Sequence, residues 1–166
     1  PPPPPPPPLK LAVLTARAQE LKWALQLKDS DPVCRNFRLA GEALGYSDWG
    51  IGHVMYGSVQ EWLVQDWKGW RKIENFKILK TLLPHRGEQF DFVFIGDTGE
   101  LDLEAGMRML NSAATRSSMR AILMHVVAFG DDEPVIPRDK IINGKPVCYF
   151  RTYVGACVKA LSLIHI

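Results

Sequence analysis

An α/β fold with a mostly parallel sheet is the architecture this sequence predicts, on three observations. Short, nearly continuous apolar runs recur at residues 9–15, 90–95 and 121–128, as expected of strands covered on both faces. Segments of helical periodicity separate these runs, and that alternation favours parallel pairing through crossovers. A single Asn-Gly pair, Asn143-Gly144, marks one hairpin turn against the parallel background.

The elements follow in order. Residues 9–15 (LKLAVLT) form the first strand, and good helix formers over 18–28 place Leu21, Ala24, Leu25 and Lys28 on one side. Asp31-Pro32 opens the next helix with an acidic cap and a proline in the first turn. Val33, Phe37, Ala40 and Leu44 make its expected buried stripe, and Gly45 ends it. A strand over 51–56 is bounded by Gly50 and Gly57. Helices are expected over 58–67, with Val59, Leu63 and Trp67 on one face, and over 70–83, with Ile73, Phe76, Leu79 and Leu83 on one face. FDFVFI at 90–95 is bulky and β-prone. A helix over 100–117, a strand over 121–128, a loop at 131–134, the hairpin at Asn143-Gly144 and a last helix over 151–160 complete the chain.

Residues 1–8 are all proline and can only be an extended polyproline II rod, a spacer or a docking site for an SH3- or WW-type partner. The last six residues, 161–166 (LSLIHI), resemble the translation of a transposase sequencing adapter and are expected to be a non-native tail. Together with a first methionine only at Met55, these ends give the expectation of a fragment, with one partial domain over 9–160.

Twenty basic and 18 acidic residues leave a net charge of +2, which excludes a strongly basic nucleic-acid binder on charge alone. The cluster Trp67-Lys68-Gly69-Trp70-Arg71-Lys72 is thin support for a nucleic-acid role. The longest apolar run, 121–129, is interrupted by His125 and is about half as long as a membrane span. No secretory leader pattern stands near the start, and Cys34, Cys148 and Cys157 have no CxxC spacing. They read as reduced thiols without chemistry, in a protein expected to be cytoplasmic with peripheral membrane contact. His53, His85, His125 and His165 have no mutual ligand spacing, and His125 is expected to be a satisfied core histidine.

Sites in such folds gather at the carboxyl ends of strands. Thr15-Ala16-Arg17 follows the first strand, where a hydroxyl and free N–H groups near a helix start would hold an anion or simply cap the helix. Gly96-Asp97-Thr98-Gly99-Glu100-Leu101-Asp102 follows FVFI and puts Asp97, Glu100 and Asp102 together. Carboxylates so crowded repel unless a cation joins them, and hard oxygen donors favour Mg²⁺. Capping of the next helix accounts for Glu100 and Asp102 as well, but not for Asp97. Lys72, at the start of the preceding helix, is either solvated or in reach of a phosphate.

LTAR at 14–17, Met55-Tyr56-Gly57, Lys72 with Asn75-Phe76, and FVFIGDTGELD at 92–102, in this order, resemble the phosphatidate phosphatase family of the haloacid dehalogenase superfamily, of the actin-patch-associated lipid phosphatase type. The resemblance covers residues 9–160. It implies a Rossmannoid sheet lacking its first strand, with Thr15, Arg17 and Lys72 holding a substrate phosphate. Asp97 and Asp102 would hold Mg²⁺. It implies hydrolysis of phosphatidate to diacylglycerol through an aspartyl-phosphate, on a phosphorylated lipid at a membrane surface. The family's DxDxT nucleophile motif is absent, the first aspartate here being Asp29. The nucleophile is therefore expected upstream, or else the chain is a non-catalytic lipid- or protein-binding module. The apolar face of 59–70 is expected to pack on the sheet as crossover helices do, the alternative being that part of it, with Trp62 beside it, meets a bilayer surface.

Overall fold

A computed structural model describes residues 11–18, 26–57, 67–83, 90–99, 101–128 and 135–164. The polyproline run, most of the expected helix at 18–28, the expected helix at 58–67 up to residue 66, Trp62, Glu100 and the 131–134 loop lie outside the described residues. The chain divides into two compact units, Pro1–Gln65 and Asp66–Ile166.

In the first unit, β1 (Leu11–Ala18) pairs in parallel with β2 (Ile51–Gly57), and α1 (Pro32–Ala43) lies between them in sequence. The helix ends as its glycine requires. Gly45 takes φ +84°, its N–H donates to the Glu42 carbonyl at 3.0 Å, and the Tyr46 N–H donates to Gly41 at 2.9 Å. Its start differs in one respect: Asp31 stands at the N-cap, but its carboxylate accepts from the Lys28 N–H at 2.8 Å and makes no cap bond.

The inward face of α1 is rotated from the expected one. Val33, Ala40 and Leu44 are exposed, whereas Cys34 and Phe37 are half-buried and Gly41 is buried. The contact line is 34, 37, 41, because Trp49 folds back onto the helix. Its ring meets Phe37 edge-on at 6.0 Å, and a Cβ on Gly41 would stand 2.8 Å from the Trp49 Cβ and 3.0 Å from the Tyr46 carbonyl oxygen. Counting large apolar residues missed a face whose centre is a glycine.

In the second unit the strand order is β3-β4-β6-β5. Parallel strands β3 (Phe92–Asp97), β4 (Met119–His125) and β6 (Lys145–Phe150) carry the short antiparallel β5 (Lys140–Ile142) at one edge. The α/β class and the mostly parallel pairing hold. The strands, however, fall into two sheets rather than one, since alternation predicts parallel direction but not which strand neighbours which. The hairpin turns at Asn143 and Gly144, both at positive φ (49° and 74°), as a type I′ turn demands. Asn143 also donates to the Leu110 carbonyl at 3.1 Å, fixing the hairpin to a neighbouring helix.

Helix α2 (Trp67–Leu82) buries Ile73, Phe76 and Leu79, and Phe76 meets Phe92 edge-on at 5.0 Å. The single helix expected over 100–117 is two: α3 (Asp102–Asn111) and α4 (Ala113–Arg116). The break is at Ser112, which is extended, and the buried Thr115 hydroxyl donates back to the Met109 carbonyl at 2.6 Å. Met109, Leu110, Ile122, Met124 and Val147 form the fully buried centre. Helix α5 (Tyr153–Ile164) packs Ala156, Ala160 and Leu163 against Leu123, Cys148 and Phe150. It runs on through most of the segment expected to be a tail. No described helix is long and apolar enough to cross a membrane.

All three cysteines are free, and burial, helped by the Asp139 carboxylate, pushes the Cys148 thiol up. Asp139 itself is pulled both ways. Burial opposes its ionisation, but the ion pair with Lys159 and the Tyr149 N–H at 2.9 Å together hold its carboxyl below the usual value of 3.8.

Two outcomes follow. Gly→Ala in a helix ordinarily stabilises by about 1 kcal/mol, but Gly41→Ala should destabilise by about 1–3 kcal/mol because backbone and Trp49 block the methyl; urea denaturation measures the sign. A depressed carboxyl stabilises the fold above its unfolded value and ceases to as the pH falls through its folded one. Asp139→Asn should therefore lower the unfolding midpoint at pH 7 and leave it unchanged well below pH 3.8.

Candidate functional site

The second unit gathers its charged, buried side chains where β3 gives way to α3. Strand β3 ends on Gly96 and Asp97, two residues later than expected, so Asp97 is the last residue of the strand. Gly96 has no alternative: a Cβ there would lie 2.6 Å from the Asp102 Cβ. The missing side chain lets the first residue of α3 fold back onto the strand.

Lys72 and Asp102 form a buried ion pair through Oδ1, with the two side chains only 9% and 12% exposed. The other oxygen, Oδ2, accepts the Asp97 N–H at 3.3 Å. Asp102 is therefore not a cap. Leu101 occupies the N-cap with no side-chain bond, and the Asp102 carboxylate is spent on α2 and β3. The Asp97 carboxylate turns the other way and accepts the Gly99 N–H at 2.8 Å, closing a tight turn. Thr98 joins this turn to the end of β4: its N–H donates to the His125 carbonyl at 2.9 Å, and its hydroxyl accepts the Val127 N–H at 3.2 Å.

His125 pairs in register with Asp97 across the strand ends. It lies at the end of β4 rather than inside it, because the strand stops at His125, three residues before the expected end. Its ring stacks on Phe150 (5.3 Å) and its Nε2 bonds to the Arg151 carbonyl at 3.0 Å, which makes Nε2 the protonated nitrogen. It is satisfied, as expected, but at the edge of the site.

Of the residues singled out in the sequence, Lys72, Asp97 and Asp102 come together. Lys72 is buried rather than solvated. Thr15 and Arg17 belong to the first unit, and their local setting differs from the expectation. Strand β1 does not stop at Leu14 but continues to Ala18, so Thr15 does not lie in a loop before a helix. Between Leu14 and Ala18 the register with β2 shifts, advancing only from Met55 to Gly57 on the partner strand. Thr15-Ala16-Arg17 thus lies where the pairing of β1 with β2 is irregular. Thr98 and Asn75, the latter buried one turn from Lys72, entered the sequence reading only as members of the quoted motifs, with no role of their own. Their sequence signal is position: Thr98 between Gly96 and Gly99, Asn75 three residues after Lys72.

No family model, curated protein or solved structure matches the chain.

Among the described residues no three His, Cys, Asp or Glu side chains assemble as a metal-ligand set. The loop offers two carboxylates, one already balanced by Lys72. That donor chemistry fits Mg²⁺, which is commonly held by one or two carboxylates, with waters and substrate phosphate completing its shell.

Breaking the buried pair should be costly. Lys72→Met leaves Asp102 charged and unpaired and should cost about 3–5 kcal/mol of stability. Adding Asp102→Asn, which still accepts the Asp97 N–H, should recover more than half of that loss in the same denaturation experiment.

Proposed function

We propose that this chain is part of a Mg²⁺-dependent phosphomonoesterase of the haloacid dehalogenase type, hydrolysing phosphatidate to diacylglycerol, with its nucleophilic aspartate supplied by chain preceding Pro1. The observation that carries the reading is the Lys72–Asp102–Asp97 cluster at the carboxyl end of a parallel strand. A second supports it. Strand β3 is an edge strand among the described residues, and the N–H and C=O groups along such an edge can pair with a further strand.

On this reading Asp97 holds the metal and Asp102 assists. When bound, Mg²⁺ supplies Lewis-acid stabilisation of the phosphoryl oxygens. The chain's own residues do the rest. An ammonium has three donors, so Lys72 keeps one on Asp102 and has others for a phosphate oxygen, whose growing charge it offsets as the ester bond breaks. Asp102 fixes the direction of that amine. An aspartate outside this sequence attacks phosphorus in line.

In a protein extended upstream through a DxDxT aspartate, Asp97→Asn should lower Mg²⁺-dependent phosphate release from phosphatidate by about 100-fold or more. The 166-residue chain alone should release none above background. Turnover by the chain alone, or full activity of Asp97→Asn, would overturn the reading. The absence of DxDxT from this sequence favours a second one, a non-catalytic lipid- or protein-binding module. For that module the same assay gives vesicle binding without phosphate release.

A further inference from the structure

Asp97 carries the proposed site, and its carboxylate accepts the Gly99 N–H inside a segment bracketed by Gly96 and Gly99. Glycines on both sides give that turn more backbone freedom than any other residues would. Thr98 restrains it from the neighbouring strand. In a parallel ladder a residue's N–H donates to one carbonyl of the neighbouring strand, and its own carbonyl accepts the N–H two residues further along. Thr98 obeys the first half, donating to the His125 carbonyl. The next rung would bring the Val127 N–H to the Thr98 carbonyl. It goes instead to the Thr98 hydroxyl at 3.2 Å. The side chain has replaced the main chain as acceptor, which ends the ladder at this residue and frees the backbone to turn towards α3.

We infer that Thr98 is a positioning residue for Asp97: its hydroxyl terminates the β3–β4 ladder and thereby locks the turn that orients the Asp97 carboxylate towards a divalent cation. The inference rests on the metal reading given above and adds a residue to it. Val at this position keeps the shape and removes the acceptor, so the ladder either continues through the Thr98 carbonyl position or leaves the Val127 N–H unpaired. Ser keeps the acceptor.

The test uses the 166-residue chain. Mg²⁺ affinity by calorimetry should fall about tenfold in Thr98→Val and stay within about twofold of wild type in Thr98→Ser. Without metal, amide exchange at Gly99 should speed about tenfold in Thr98→Val and not in Thr98→Ser. Unchanged Gly99 exchange in Thr98→Val, or equal losses in Val and Ser variants, overturns the inference. If wild type binds no Mg²⁺, the metal reading fails and the role of Thr98 in ordering the turn is decided by the exchange measurement alone.

Discussion

The ion pair between Lys72 and Asp102 is the contact on which the second unit's arrangement depends. It joins α2 to the first turn of α3, and through Oδ2 it reaches the last residue of β3. Two charges removed from water are rarely a net source of stability, since apolar side chains of the same volume would hold the helices as well. What an ion pair supplies that a leucine pair does not is direction. An apolar contact tolerates a helix sliding by a fraction of a turn, whereas Lys72 and Asp102 must meet atom to atom. Gly96 shows the same demand from the other side, since a Cβ there would stand 2.6 Å from the Asp102 side chain.

That division explains what the sequence made legible and what it did not. Elements set by local chemistry were readable: the Gly45 helix end, the Asn143-Gly144 turn, the FVFI strand and the buried face of α2 all follow from two to eight adjacent residues. Elements decided by distant partners were not. The α1 face turns by one position because Trp49 returns to Gly41, and nothing within the helix announces that. The end of β3 lies two residues beyond the expected one and that of β4 three residues short of it, for a related reason. The ladder runs until a side chain interrupts it, and periodicity does not register a hydroxyl acting as an acceptor. Ser112, which splits the expected long helix, is likewise an ordinary residue whose conformation is set by the neighbouring Thr115 and its bond to Met109.

For the site, the sequence showed which residues stand near one another in the chain but not what they bond to. Lys72, Asp97 and Asp102 were identifiable as candidates, but burial of the lysine and its bond to one of the two aspartates required the tertiary structure. Thr15 was read as lying at a helix junction, and that setting gave way to a strand whose register with β2 shifts.

The two aspartates, five residues apart, differ in what the fold bonds them to. Both oxygens of Asp102 are committed to other elements, one to the Lys72 ammonium of α2 and one to the Asp97 N–H at the end of β3. Asp97 places one oxygen on the Gly99 N–H, within its own turn. Asp102 therefore ties the loop to its neighbours, while Asp97 shapes the turn itself. Two identical side chains on one loop acquire different bonds because a helix earlier in the chain brings a lysine to one of them.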